Sequence, residues 1–301
     1  GSQSTLQDIK VPERAGGYAY RDNHKFYTRN RFLYWRISHD ILELIEHSLD
    51  INLVNCKVRY KFTDTPILDG ISIHETVNSV IILVATVSSV HKLTFPHPDK
   101  IHKQEHLLGS HPDLSVQSIL GEASTQNARD PHSFHVISSP GTTNTPVPHA
   151  AASWLSVPHE EALFALAYNN GTILLLRLDT VTGLVHTSEL KQDSMVPRFL
   201  SGIATAFRGR NSEGQVAMSL AIHPFANDTY LFALCREGNV RMWSCNKSQC
   251  IAVTDVAIDN RVASQGTHGH MLRKVLGHNE ELYLGTYLKF TNGCEFSILK
   301  P

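Results

Sequence analysis

The chain lacks a long apolar run, an excess of charge of either sign and a dense set of cysteines, and each shortage removes a class of function. No stretch approaches the roughly 18 apolar residues that mark a membrane-spanning helix, so no membrane span is expected. Basic and acidic residues nearly cancel, 27 against 28, for a formal net charge of −1. A sequence-independent nucleic-acid footprint needs a net basic face, so no direct nucleic-acid partner is expected. Cys56, Cys235, Cys245, Cys250 and Cys294 are odd in number and scattered. That usage fits reduced thiols in an intracellular protein and not a disulfide framework.

Reactive motifs are equally scarce. No G-x-S-x-G elbow occurs, and the one S-x-x-K, Ser89 to Lys92, sits inside a hairpin pattern and not at a helix start. Gly70, Gly109 and Gly121 are isolated turn or cap glycines, so neither a Walker nor a dinucleotide loop is present. His102, His106 and His111, with His268 and His270, have the best metal-ligand spacing among 18 histidines. They come without the accompanying carboxylate or thiolate set and fall in irregular sequence, so they read as solvated. Cys245 and Cys250 lack a second pair within finger spacing and read as strand-end thiols. Glu160-Glu161 and Glu280-Glu281 are adjacent, and adjacent strand residues point to opposite faces. Trp35, Trp154 and Trp243 read as packing residues and not as an aromatic cage. The sequons at Asn170, Asn227 and Asn246 read as turn composition. No catalytic, cofactor-binding or metal-binding residue is assigned, no small-molecule substrate is implied, and the chain reads as a non-enzyme.

What the chain does contain is strand, tight turn, strand, several times over. The clearest copies are Leu163 to Leu178, turning at Asn169-Asn170-Gly171, and Leu231 to Ser244, turning at Glu237-Gly238-Asn239. Gly and Asn tolerate the positive φ that short hairpin turns demand. Further copies run from Arg31 to Ser48, Val80 to Phe95 and Leu282 to Leu299, with Phe134 to Ser138 and Ala217 to His223 as cryptic inner strands. One hairpin is marginal in water, so the copies must bury one another. With 42% hydrophobic residues the chain is globular. Short strands and Gly, Asn, Asp and Pro punctuation indicate an all-β fold, and a WD-type β-propeller protects the edges such strands expose; the rival, a pair of β-sandwich domains, would not explain the recurrence of LFAL followed by a turn and a second strand.

In order, residues 1–15 form a ragged N-terminal segment opening on Gly1-Ser2, which reads as a tag remnant. A propeller domain spans residues 16–301. Ile41 to Leu49 approximates helical spacing but follows a tight turn, which favours a strand. Short helical insertions are expected at Asp113 to Leu120, with Asp113 as N-cap, and at Val196 to Arg208. Asp99 to Pro148 is the least regular region.

The blocks TRNRFLYWRIS, DILELIEHSLDINLVN, AASWLSVPHEEALFAL, LFALCREGNVRMWS and LYLGTYLKF, in that order between Gly16 and Leu299, resemble the N-terminal propeller of the one-hundred-and-sixty-kilodalton nucleoporin family of metazoan nuclear pores. Within Asp99 to Pro148 the likeness is confined to QSIL. The resemblance implies a seven-bladed propeller fused to a C-terminal helical solenoid, within the Y-shaped complex of the pore's outer rings. On that footing the chain is an incomplete ring, truncated before the last strands. Its partners are other Y-complex nucleoporins, including a small WD-repeat nucleoporin near the propeller–helical junction. The implied role is structural, in pore assembly and nucleocytoplasmic transport including mRNA export, at the nuclear pore of the nuclear envelope. The family carries no catalytic residue to transfer, and the partner-binding residues are left unassigned.

Two other functions fit an all-β ring. A propeller reading a peptide or modified side chain at its central channel would gather an aromatic or acidic cluster at one mouth. A propeller hydrolase would show convergent carboxylates or a nucleophile beside its base. For the metal reading, a chelator is expected to leave the melting temperature unchanged, and a fall of several degrees on chelation would restore it.

Overall fold

The computed structural model describes residues 14–63, 65–107, 115–121, 133–137, 146–190, 216–256, 270–290 and 293–301 of the chain. The chain divides into two compact units, Gly1–Val136 and Ile137–Pro301.

The first unit holds two antiparallel sheets of blade type. Sheet 1 joins β1 (Arg14–Ala19), β2 (Arg31–Ser38), β3 (Ile41–Ser48) and β5 (Lys57–Lys61) in the order β1-β2-β3-β5. Sheet 2 joins β6 (Ser72–Glu75), β7 (Ser79–Ala85), β8 (Ser89–Pro96) and β10 (Phe134–Val136), with β10 paired to β8. Ile41 to Leu49 is thus a strand to Ser48, as the turn at His39-Asp40 requires. The expected inner strand at Phe134 is instead the fourth strand of its sheet. Leu33, Ile37, Leu42 and Leu44 from sheet 1 and Val80, Ile82, Val84 and Phe95 from sheet 2 share one buried core. Gly16 lies opposite Trp35 in the β1–β2 ladder. A Cβ there would meet the indole at 2.5 Å, so the strand can pass only as glycine.

One expectation fails in the stretch after β8, and the Asp113 N-cap that went with it lies outside the described residues. Residues 115–117 form a short strand, β9 (Ser115–Gln117), parallel to β4 (Asn52–Val54), and not a helix. The partner strand is more than 60 residues earlier, so its hydrogen bonds leave no local sequence signal. The helix of this region is α1 (Pro98–Leu107). Pro98 opens it, where a missing N–H costs nothing, and Asp99 lies in the first turn, where the helix dipole favours negative charge.

A buried ion pair anchors these pieces. Arg31 of β2 and Glu46 of β3 meet at 2.6 Å with both side chains fully buried. Glu46 also accepts the Tyr20 hydroxyl at 2.6 Å, the Ser118 hydroxyl at 2.8 Å and the Ile119 amide at 3.1 Å. Arg31 donates to the Tyr27 carbonyl and to His102 Nε2 of α1 at 3.0 Å. The guanidinium has only donors, so His102 accepts at Nε2 and carries its proton on Nδ1. Burial and the adjacent Glu46 charge push the Tyr20 phenol well above its ordinary range. A second node lies beside it: Glu75 accepts Tyr18 Oη at 2.8 Å and the Arg21 amide at 3.0 Å, and contacts His97 Nε2 at 2.8 Å. It ties sheet 2 to the turn leaving β1.

The second unit holds three sheets. Sheet 3 runs β11 (Pro148–Ser156), β12 (Glu161–Tyr168), β13 (Ile173–Asp179), β14 (Val185–Leu190). Sheet 4 runs β15 (Ala217–Phe225), β16 (Asp228–Cys235), β17 (Asn239–Ser244), β18 (Gln249–Asp255). Sheet 5 has three strands, β19 (Met271–Leu276), β20 (Leu282–Phe290) and β21 (Gly293–Leu299). The hairpin turns fall where the Gly residues are, with Gly171 at φ 85° and Gly238 at φ 82°. β12 is buried along almost its whole length, as a strand covered on both faces should be. One apolar cluster packs sheet 3 on sheet 4 and another packs sheet 4 on sheet 5. The first strands β11, β15 and β19 lie in sequence beside one another.

The described residues therefore form five blade sheets, where the resemblance implied seven blades. No W-D dipeptide occurs, since Trp35, Trp154 and Trp243 are followed by Arg36, Leu155 and Ser244. Among the described residues the buried Trp243 Nε1 has no hydrogen-bond partner, so the WD feature is not borne out. Helical insertion is confined there to α1 and a single 3₁₀ turn at His278–Glu280. The helix expected at Val196 to Arg208 lies outside the described residues.

Removing one partner of the buried pair leaves the other uncompensated. Glu46→Ala is expected to lose about 3–5 kcal/mol in chemical unfolding, and the double change Arg31→Met, Glu46→Leu less than that. A single-variant loss below about 1 kcal/mol would show that the pair does not hold the unit together.

Candidate functional site

Strand register builds a row across sheet 3. Trp154 of β11 lies opposite Leu163 of β12, and Leu163 lies opposite Arg177 of β13. All three face sheet 4, where the apolar seam continues. Arg177 Nη1 donates to Glu161 at 3.0 Å and Nη2 crosses to the Cys245 carbonyl of sheet 4 at 2.7 Å. Between the sheets a cleft of about 260 Å³ is lined by Trp154, His159, Glu161, Arg177, Thr229 and Asn246, among others.

Trp154 also meets the neighbouring first strands. Lys274 of β19 sets its ammonium 4.4 Å from the indole centroid, a cation–π distance. His223 of β15 meets the same indole edge-on, at 5.9 Å between ring centroids. Burial pulls the Lys274 amine down to about 8. It also lowers His223, with the Lys274 charge adding to the effect. Among the described residues no carboxylate comes within ion-pair distance of Lys274, and the buried His223 Nδ1 has no hydrogen-bond partner.

The residues singled out from sequence do not converge. Trp243 is fully buried in the seam and Trp35 packs on the sheet 1–sheet 2 core, so they pack in separate sheets. His102 and His270, read as solvated, are buried at 1% and 4% exposure. His102 stacks on Tyr27 beneath Arg31, and His270 accepts the Lys289 amide at Nδ1. His111 and His268 lie outside the described residues. Among the described residues no three His, Cys, Asp or Glu side chains gather as metal ligands would. All five cysteines are free. Glu161 turns to Arg177 while Glu160 sits exposed in the turn at φ 50°. Glu281 pairs with Tyr283 and Lys300.

Among the described residues hydroxyl–imidazole contacts join Ser72 Oγ to His74 Nε2 at 2.8 Å and Ser89 Oγ to His91 Nε2 at 2.7 Å. His91 packs against Phe62 and Phe134, and burial lowers it to about 4. A base that weak near neutral pH is poorly matched to proton abstraction. The trio on Trp154 escaped the sequence reading because its members come from three sheets. The available signal was parity: Lys274 shares the face of Leu272 along β19.

Lys274 gives a pH signature. Its folded pKa lies below the ordinary 10.4, so below about pH 8 the ammonium is charged in both states and its burial costs stability. Between about pH 8 and 10.4 the folded chain has shed a proton that the unfolded chain keeps, and stability rises. Lys274→Met is expected to gain about 1–2 kcal/mol at pH 7 after loss of the Trp154 contact is subtracted. The gain should close above pH 8. Equal stabilities at pH 7 would show that the ammonium is not desolvated.

Residues 31–301 match the family described as Nucleoporin Nup120/160, beta-propeller domain. The chain is 38% identical over 303 aligned positions to nuclear pore complex protein Nup160 of Mus musculus, covering 97% of this chain and 21% of that protein. The Homo sapiens protein of the same name is 37% identical, with the same coverage. The Nup160 homolog of Drosophila melanogaster is 38% identical over 288 positions, covering 94% of this chain and 20% of that protein. The chain thus spans about a fifth of the length of these relatives. A match over nearly all of its sheets shows that the chain belongs to the Nup120/160 nucleoporin β-propeller family.

Proposed function

We propose that the chain is a propeller domain of a scaffold subunit in the outer-ring Y-complex of the nuclear pore. Its place is the nuclear envelope, and its role is to support pore assembly and nucleocytoplasmic transport, including mRNA export. Its partners are other Y-complex nucleoporins, among them a small WD-repeat nucleoporin near the propeller–helical junction. The propeller is read as part of a seven-bladed ring. The observation that carries this is identity of 37–38% over nearly the whole chain with proteins named for the nuclear pore.

The mechanism is geometric. Sheets locked face to face by apolar seams and buried polar nodes present turns at fixed positions, and an assembly gains from several weak interfaces acting together. The turns carry apolar side chains in solvent, including Val157, Val181, Leu184 and Phe225 at 56–69% exposure. These suit docking better than chemistry. A second reading, a propeller that reads a peptide near its first strands, is favoured by one observation, the Trp154 cluster with its adjoining cleft.

The test is a pull-down of this chain, with and without the downstream region of the full-length protein, against each Y-complex member, alongside imaging of the tagged full-length protein. Rim staining of the nucleus and recovery of at least one Y-complex subunit are expected. Diffuse staining with no subunit recovered would overturn the reading.

A further inference from the structure

A desolvated cation without a counter-ion is costly, and the inner strands of the second unit hold a part-buried one with no counter-ion among the described residues. Lys274 lies part-buried against Trp154, and its neighbour His223 holds a buried ring nitrogen without a partner among the described residues. Among the described residues the carboxylate whose charge raises His223 is Glu280, which is exposed and makes no hydrogen bond there. The Arg177 guanidinium on the cleft side of Trp154 is already satisfied by Glu161 and the Cys245 carbonyl. Asp228, the other carboxylate near that cleft, spends its oxygens on the Thr229 and Asn246 amides and the Ser244 hydroxyl. What is left over is positive and can donate. On the same face of β19 stands an apolar side chain in solvent, Leu276, at 56% exposure.

We propose that Lys274 and His223, set on the indole of Trp154, receive a carboxylate side chain from an acidic–apolar segment of a partner protein. The carboxylate would take the ammonium of Lys274 and an N–H of His223. An apolar residue flanking it would cover Leu276. Partial burial of the amine, with no ion-pair partner among the described residues, raises the return on pairing, because charges attract more strongly where water is excluded. The partner being a pore protein rests on the scaffold reading, whereas the chemistry of the site does not.

The probe is an array of synthetic 12-residue peptides tiling the other chains of the nuclear pore, bound to the purified chain. Peptides with Asp or Glu flanked by apolar residues should dominate the bound set. Lys274→Gln should weaken them at least tenfold, and Lys274→Arg should hold them within about threefold. His223→Gln should give an intermediate loss, and added salt should weaken the wild type more than Lys274→Gln. Removing the part-buried charge is expected to hold or raise stability, and an unchanged or higher melting temperature for Lys274→Gln separates loss of binding from loss of fold.

Three results would overturn the site: no enrichment of acidic peptides over scrambled ones, binding by Lys274→Gln equal to wild type, or a self-association that Lys274→Gln abolishes, which would make the occupant a second copy of this chain. If the tagged protein reaches the pore but the variants bind acidic peptides unchanged, the site alone fails. If the protein is absent from the pore while acidic peptides still discriminate the variants, the scaffold reading fails and the site stands.

Discussion

A sheet whose middle strands are apolar on both faces is unstable in water until something covers each face, and the fold of each unit follows from that constraint. β12 reads EALFALAY and is buried at nearly every position; β7 reads SVIILVA and is buried likewise. Neither can be the solvent face of a two-layer sandwich, because it has no polar side to offer. Face-to-face packing of successive sheets satisfies both faces, and the shared clusters between sheets 1 and 2, 3 and 4, and 4 and 5 are the result. Apolar burial is directionless, however, so it fixes that the sheets pack and not the angle or register at which they do.

Polar groups within the seams supply direction. The Arg31–Glu46 pair reaches Tyr20, Tyr27, His102 and Ser118, which come from a strand-end turn, a helix and the segment after β9. Each hydrogen bond has one geometry, so together they select a single arrangement of those pieces. Arg177 does the same in the second unit by reaching the Cys245 carbonyl of the neighbouring sheet. Such groups add little net stability while satisfied and cost much when half removed. That asymmetry suits a domain that must hold one shape.

The hairpins were legible because their causes are local. Asn169-Asn170-Gly171 and Glu237-Gly238-Asn239 dictate turns by backbone sterics, and the flanking residues carry the strand pattern. The blade count, β9 and the trio on Trp154 were not legible, because each depends on residues brought from afar. β9 pairs with β4, and DLSVQSIL by itself spaces its apolar residues as a helix would. α1 was hidden by its polarity, with Pro98 and Asp99 as its only start signals. The buried charges were half legible. Arg31 shares strand parity with Leu33 and Ile37, and Glu46 with Leu42 and Leu44, so a strict period of two would have placed both inside. Composition alone sends charged residues to the surface.

The free thiols carry a consequence for how the domain ages. Cys235 and Cys245 are buried, and burial pushes both up to about 12. Only the thiolate attacks oxidants and electrophiles, and at neutral pH a pKa near 12 leaves about one such group in 10⁵ ionised. Both sulfurs are therefore inert ballast while sheet 4 stays shut, and become ordinary reactive cysteines once it opens. Alkylation at either position would keep time for a rare event, the momentary parting of the strands that enclose it.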